Sequence, residues 1–191
     1  MRQTVFRFAL SLLLGVPALA GCGDPLSLLP AAFENRVDTL SLWATSRSPV
    51  TQPSGYIIGQ RLPVRLDQVT SFDFLYDENA AGEHYFIPLA ALVSTGRTSG
   101  NPGFREEPTL GFDAITLAPQ SEYISADTVR FRVGDVFYAR SQVESSCGLG
   151  IPYYAKLQVL GIDAVEHFVR FRILANINCG YRGLEIGIPE K

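Results

Sequence analysis

Between Tyr153 and Asn178 apolar and polar residues alternate, and nothing else in the chain restricts its fold as strongly. In Val169-Arg170-Phe171-Arg172-Ile173 the alternation is strict. A helix would spread these side chains around its axis, whereas a strand sends them to two opposite faces. Two such segments, Tyr153–Ile162 and His167–Asn178, flank a short turn at Asp163, Ala164 and Val165. Upstream, Val129, Phe131 and Val133 alternate with Arg130 and Arg132, Gly134-Asp135 marks a kink or bulge, and Val136–Val143 continues extended. The three segments predict an antiparallel meander. Pairing Leu157 with Phe171 also sets Ala155 opposite Ile173 and Val159 opposite Val169, which makes one face wholly apolar. A slip of one residue would turn arginines into the core, so parity is fixed.

Upstream segments repeat the pattern on a smaller scale. Phe33–Ala44 reads as a strand with Leu40, Leu42 and Ala44 on one side and Trp43 on the other. Pro63 suits an edge strand or a strand start. Ser71–Asp77 carries Phe72, Phe74 and Tyr76 on one face, turns through Asp77–Gly82, and returns as His84–Leu89, a hairpin. Leu89–Val93 fits either a last strand turn or a short helix. Ser94–Thr109, with three glycines and two prolines, reads as a long loop, and Phe112–Leu117 as a strand. No long amphipathic helix is visible. The expected fold is all-β: a sandwich of two antiparallel sheets with a C-terminal three-stranded meander, the alternative being a small closed β-barrel.

The N-terminus has a different character. Arg2 and Arg7 precede an apolar run from Phe8 to Ala20, too short to span a bilayer as a helix. The run ends in Leu19-Ala20-Gly21-Cys22, which resembles a bacterial lipobox. The resemblance implies a signal peptide over 1–21, cleavage before Cys22, and a lipid on that cysteine. Residues 22–32 would then be a lipidated anchor with a short, leucine-bearing tether, and 33–191 a single β domain. Gly23, not an acidic residue, follows the cysteine, and the resemblance then favours the outer over the inner membrane. It extends no further than the signal.

With Cys22 assigned to lipid, Cys147 and Cys179 remain as a pair, either a disulfide in an oxidising envelope or two buried thiols. The meander would bring both to one end of the sheet. The formal charge is −3, and removing Arg2 and Arg7 gives −3 − 2 = −5, which argues against nucleic acid as a partner.

Candidate sites are few. The second face of the meander would carry Tyr154, Lys156, Phe168, Arg170 and Arg172, with Lys156 set directly opposite Arg172. Like charges placed so invite an anion, or else a solvated face neutralised by nearby carboxylates. Asp77–Pro88 faintly resembles a calcium loop but lacks oxygen ligands at Ala81 and Pro88. His84 and His167 are the only histidines, and neither sits in a local nucleophile or zinc motif. No catalytic residue, metal ligand or cofactor is expected. The expected role is that of an envelope lipoprotein, held to the membrane through Cys22, with a binding or structural function towards a protein, glycan or lipid partner. The alternatives are a carrier of a small apolar ligand and, last, an envelope hydrolase.

Overall fold

The computed structural model describes residues 29–93, 100–143, 147 and 150–189. The signal sequence, Cys22 and the start of the tether lie outside the described residues, as do positions 94–99 of the Ser94–Thr109 stretch. In chain order the elements are β1 (Val37–Trp43), β2 (Gly55–Ile57), β3 (Leu62–Val64), β4 (Phe74–Glu78), β5 (His84–Pro88), a single helical turn α1 (Leu89–Leu92), β6 (Gly103–Glu106), β7 (Val129–Phe131), β8 (Val136–Arg140), β9 (Tyr154–Asp163) and β10 (Phe168–Asn176). They form two antiparallel five-stranded sheets, β1-β10-β9-β8-β6 and β3-β2-β4-β5-β7. The sheets pack as a sandwich and do not close into a barrel.

The core follows from the alternation. Leu42, Val169, Phe171, Ile173, Ala155, Leu157, Val159 and Phe137 point inward from the first sheet. Tyr56, Phe74, Tyr76, Phe86, Val129 and Phe131 meet them from the second. Phe86 lies at the centre, its ring 4.2 Å from Phe131, 5.2 Å from Phe104 and 5.5 Å from Phe74. Such rings exclude water by area and fix their neighbours by edge and face contacts. Asp73, fully buried beside them, accepts hydrogen bonds from the Ile58 and Gln142 N–H groups, so one carboxylate ties the second sheet to the segment after β8.

The meander β8-β9-β10 is present, and its parity up to Val159 is the expected one. Its register is not. Leu157 faces Ile173, Val159 faces Phe171, and Ala155 faces Ala175. The ladder then shifts between Arg170 and Phe171, leaving Leu160 as the extra residue of a bulge, and resumes as Gly161 with Arg170 and Asp163 with Phe168. Up to Val159 the displacement is two, which keeps every side chain on its expected face; past the bulge it is three, so Ile162, opposite Val169, takes the inward place. The turn itself is longer than expected: Asp163 Oδ1 accepts from the Val165 and Glu166 N–H groups, and His167 closes it with φ of 55°.

Gly134, with φ of 100°, is a corner between sheets rather than a kink within one: β7 belongs to the second sheet and β8 to the first. Two further expectations need correction. Ser94–Thr109 contains a strand, β6, paired with β8. Gly103 permits it, since a Cβ there would lie 2.5 Å from the Ile124 carbonyl oxygen. Phe112–Leu117 is not a strand but a 3-10 turn over Phe112–Ala114 leading into a cover. That cover lies on the outer face of the first sheet, where Phe112, Ile115, Ala118 and Leu184 pack on Val136, Tyr138, Tyr154 and Leu174 as a second core. Among the described residues no helix is long and apolar enough to cross a membrane.

Candidate functional site

The second core dismantles the basic face read from the sequence. Lys156 is buried, opposite Leu174 and not Arg172. Its ammonium donates to the Ile115 carbonyl at 2.7 Å and lies 4.8 Å from the centre of the Phe112 ring. Burial pushes it below the usual lysine range. Tyr154 is buried under the same cover. Arg172 faces Gln158, donates to its side chain at 3.0 Å, and pairs with Asp113 at 3.0 Å. Of the five candidates, Arg170 stays exposed and Phe168 half-buried. Phe168 packs against Trp43 in a tilted contact, ring centroids 5.5 Å apart, at the open end of the face. Sequence alone could not show that residues 112–118 return to cover the other half.

A different cluster forms where β1, β4, β5 and the β9–β10 turn meet. Both histidines converge on Glu78, whose side chain is 8% exposed. His167 Nδ1 lies 2.7 Å from Glu78 Oε1, and His84 Nδ1 lies 3.6 Å from Oε2. The Tyr76 hydroxyl stands between, 2.9 Å from His84 Nδ1 and 3.4 Å from Glu78 Oε2. Arg47 Nε approaches Glu78 Oε1 at 3.9 Å. His84 also stacks on Phe131 and Tyr76, and this burial holds its imidazole below the usual histidine range against the pull of Glu78. Burial likewise raises the Tyr76 phenol above its ordinary range.

The chemistry open to this arrangement is limited but definite. The 2.7 Å contact between His167 Nδ1 and Glu78 Oε1 orients the imidazole and turns Nε2 away from the carboxylate. Ser46, on the same rim, gives its hydroxyl proton to Asp77 at 2.7 Å. Among the described residues no group of three or more His, Cys, Asp or Glu is arranged to hold a metal ion. The turn that resembled a calcium loop is closed by its own side chains: Asn79 Oδ1 accepts from the Ala81 and Glu83 N–H groups. Glu78 and the histidines lie 6 and 89 positions apart; the β4–β5 hairpin sets His84 directly opposite Glu78, and the packing of the two sheets brings His167 to them.

The opposite end of the sandwich holds the disulfide and the start of the chain. Cys147 and Cys179 are bridged, with Cα atoms 5.2 Å apart. Next to them, Asn178 Oδ1 accepts from the Ala32 and Phe33 N–H groups, and its Nδ2 donates to the Phe33 carbonyl. The Tyr181 hydroxyl donates to the Leu29 carbonyl. Asn35 and Gly187 exchange two backbone hydrogen bonds of 2.8 and 3.0 Å. The tether therefore leaves the domain at the disulfide end. β1 then runs from this end to the histidine rim, roughly 20 Å away at the usual strand rise.

Comparison with family models, with curated proteins and with solved structures returned no match.

Proposed function

We propose that the chain is a lipid-anchored domain of the bacterial envelope, held through Cys22, that presents the Trp43–Phe168–His167 rim to a partner protein away from the membrane. The observation that carries this reading is the polarity of the sandwich. The segment leading back to Cys22 is hydrogen-bonded at one end, while Trp43, Phe168, His167 and the exposed Val165 gather at the other. An aromatic pair beside an exposed valine is the kind of surface that protein partners cover. The carrier alternative loses support, because stacked aromatic rings fill the space between the sheets.

One observation favours a second reading, a hydrolase: the His167–Glu78 pair has the geometry of an oriented imidazole. The Ser46 hydroxyl on the same rim donates to Asp77 and not to His167.

The test is metabolic labelling with an alkyne fatty acid in a bacterial host, combined with a photo-crosslinker at Val165. Wild type takes the label and stays with membranes, Cys22→Ala does neither, and Val165 yields discrete protein adducts. Label that persists in Cys22→Ala, or an unlabelled wild type, removes the anchor. A labelled protein without adducts removes the partner.

A further inference from the structure

We propose that the domain rests on the bilayer through an apolar surface at its anchor end, built from Leu117, Ile186, Ile188 and the tether residues Leu29 and Phe33. The proposal rests on the anchoring at Cys22 and adds the orientation of the domain. Leu117, Ile186 and Ile188 line a single open hollow of about 470 Å³, together with Thr116, Glu185 and Pro189. Leu117, Ile186 and Ile188 are 53%, 76% and 53% exposed. Their position is set by backbone pairing. Leu117 lies opposite Gly183, and Gly187, between the two isoleucines, lies opposite Asn35. Asn35 Nδ2 donates to the Gly183 and Glu185 carbonyls, so the hollow is stitched to the very segment that leads to the anchor. On that segment Leu29 and Phe33 are also exposed.

Exposed apolar side chains gathered around one hollow and rimmed by polar groups mark an interface with protein or membrane. The chain outside the described residues decides between them. Leu29 is fixed by Tyr181, and it lies seven positions, with six residues between, from Cys22. Fully extended, this stretch reaches about 25 Å at most. With Cys22 acylated, the headgroup layer lies within that distance of Leu29, and the apolar surface is what this end of the domain offers it. Arg36, exposed, one residue past the bridge to Gly187 and paired with Asp38 at 3.3 Å, would have to exchange that surface pair for a phosphate as the isoleucines enter the acyl boundary.

The chain's single tryptophan makes the test internal, since Trp43 lies at the far end of β1. Lipidated full-length protein is placed in vesicles of phosphatidylethanolamine and phosphatidylglycerol, with and without bromine-labelled phosphatidylcholine. In Trp43→Phe/Ile186→Trp and Trp43→Phe/Ile188→Trp the new indole emits to the blue and loses most of its intensity to the brominated lipid. Trp43 in wild type is not quenched. The two replaced positions are exposed, so either variant that keeps the wild-type circular dichroism reports validly. Indoles at both positions emitting as in water overturn the proposal. A blue shift without quenching overturns it too, because a protein surface then covers the site. Vesicle flotation separates the two readings: protein that fails to float removes the anchor as well, whereas protein that floats with unquenched indoles removes the bilayer contact alone.

Discussion

His167 and Glu78 meet at 2.7 Å across the gap between the two sheets, one from the β9–β10 turn and the other from the end of β4. The contact closes the rim of the sandwich, and Tyr76, His84 and Arg47 gather on the same carboxylate. Glu78→Ala leaves these groups facing an empty site, at a cost of about 2–3 kcal/mol, the range for hydrogen bonds to a charged group. Glu78→Gln keeps an acceptor for His167 and loses less. Urea denaturation of both variants against wild type checks the order.

His84 makes the fold sensitive to acid. Its folded-state affinity for a proton lies below the ordinary histidine value of 6.5, chiefly through burial. The unfolded chain therefore binds the proton more readily. The stabilising contribution is fully present above 6.5 and is lost as pH falls through the lowered folded value. The urea midpoint of wild type should drop between about pH 8 and about pH 5, and His84→Phe, which keeps the stack on Phe131, should drop less. Equal pH dependence in the two proteins contradicts this.

Lys156 carries a charge under the 112–118 cover with one carbonyl and one ring for company. Burial lowers its affinity for a proton, which is the desolvation that the fold bears. Lys156→Met fills the same space without the charge and should leave stability within about 1 kcal/mol of wild type or raise it. Lys156→Ala empties the space and costs about 2–3 kcal/mol. Thermal melts of the pair separate packing from charge.

The Cys147–Cys179 bridge closes a loop of sequence separation 32. In the chain-entropy model its loss costs about 3–4 kcal/mol. Cys147→Ala/Cys179→Ala should show a lower denaturation midpoint, and reduction of wild type should match it. Hydrogen exchange at the Ala32 and Phe33 amides should rise in step, because Asn178, which holds both, adjoins Cys179.

What could be read in advance was the part governed by period. Val169, Phe171 and Ile173 had to share a face, and so the sheet, its buried side and the β4–β5 hairpin were visible. The alternation carries no information on a displacement by two, which is why the pairing of Ala155–Val159 moved unseen, and a one-residue bulge such as that at Leu160 leaves no local mark. Gly103 looked like loop material, yet its missing Cβ is what lets β6 lie against Ile124. The basic face failed for a related reason. Lys156 and Arg172 alternate as outward residues should, and nothing local announces that Ile115 and Phe112 return from over 40 positions away to cover them. The rim was equally hidden, since His84, His167 and Glu78 share no motif. Tyr76 beside Glu78 and His84 at the end of a predicted hairpin was the one available sign.

The β1–β10 ladder runs from Val37 opposite Leu174 near the tether to Trp43 opposite Phe168 at the rim. If the chain is held at Cys22 as proposed, a pull on the β9–β10 turn loads β1 from its first residue and β10 from its first residue, in opposite directions along the strand axis. The ladder is then strained in shear, and its hydrogen bonds must yield together rather than unzip singly. Under the proposed anchoring at Cys22, a domain built this way would carry tension along the β1–β10 ladder, with the Cys147–Cys179 bridge close to Asn178, which holds the Phe33 backbone.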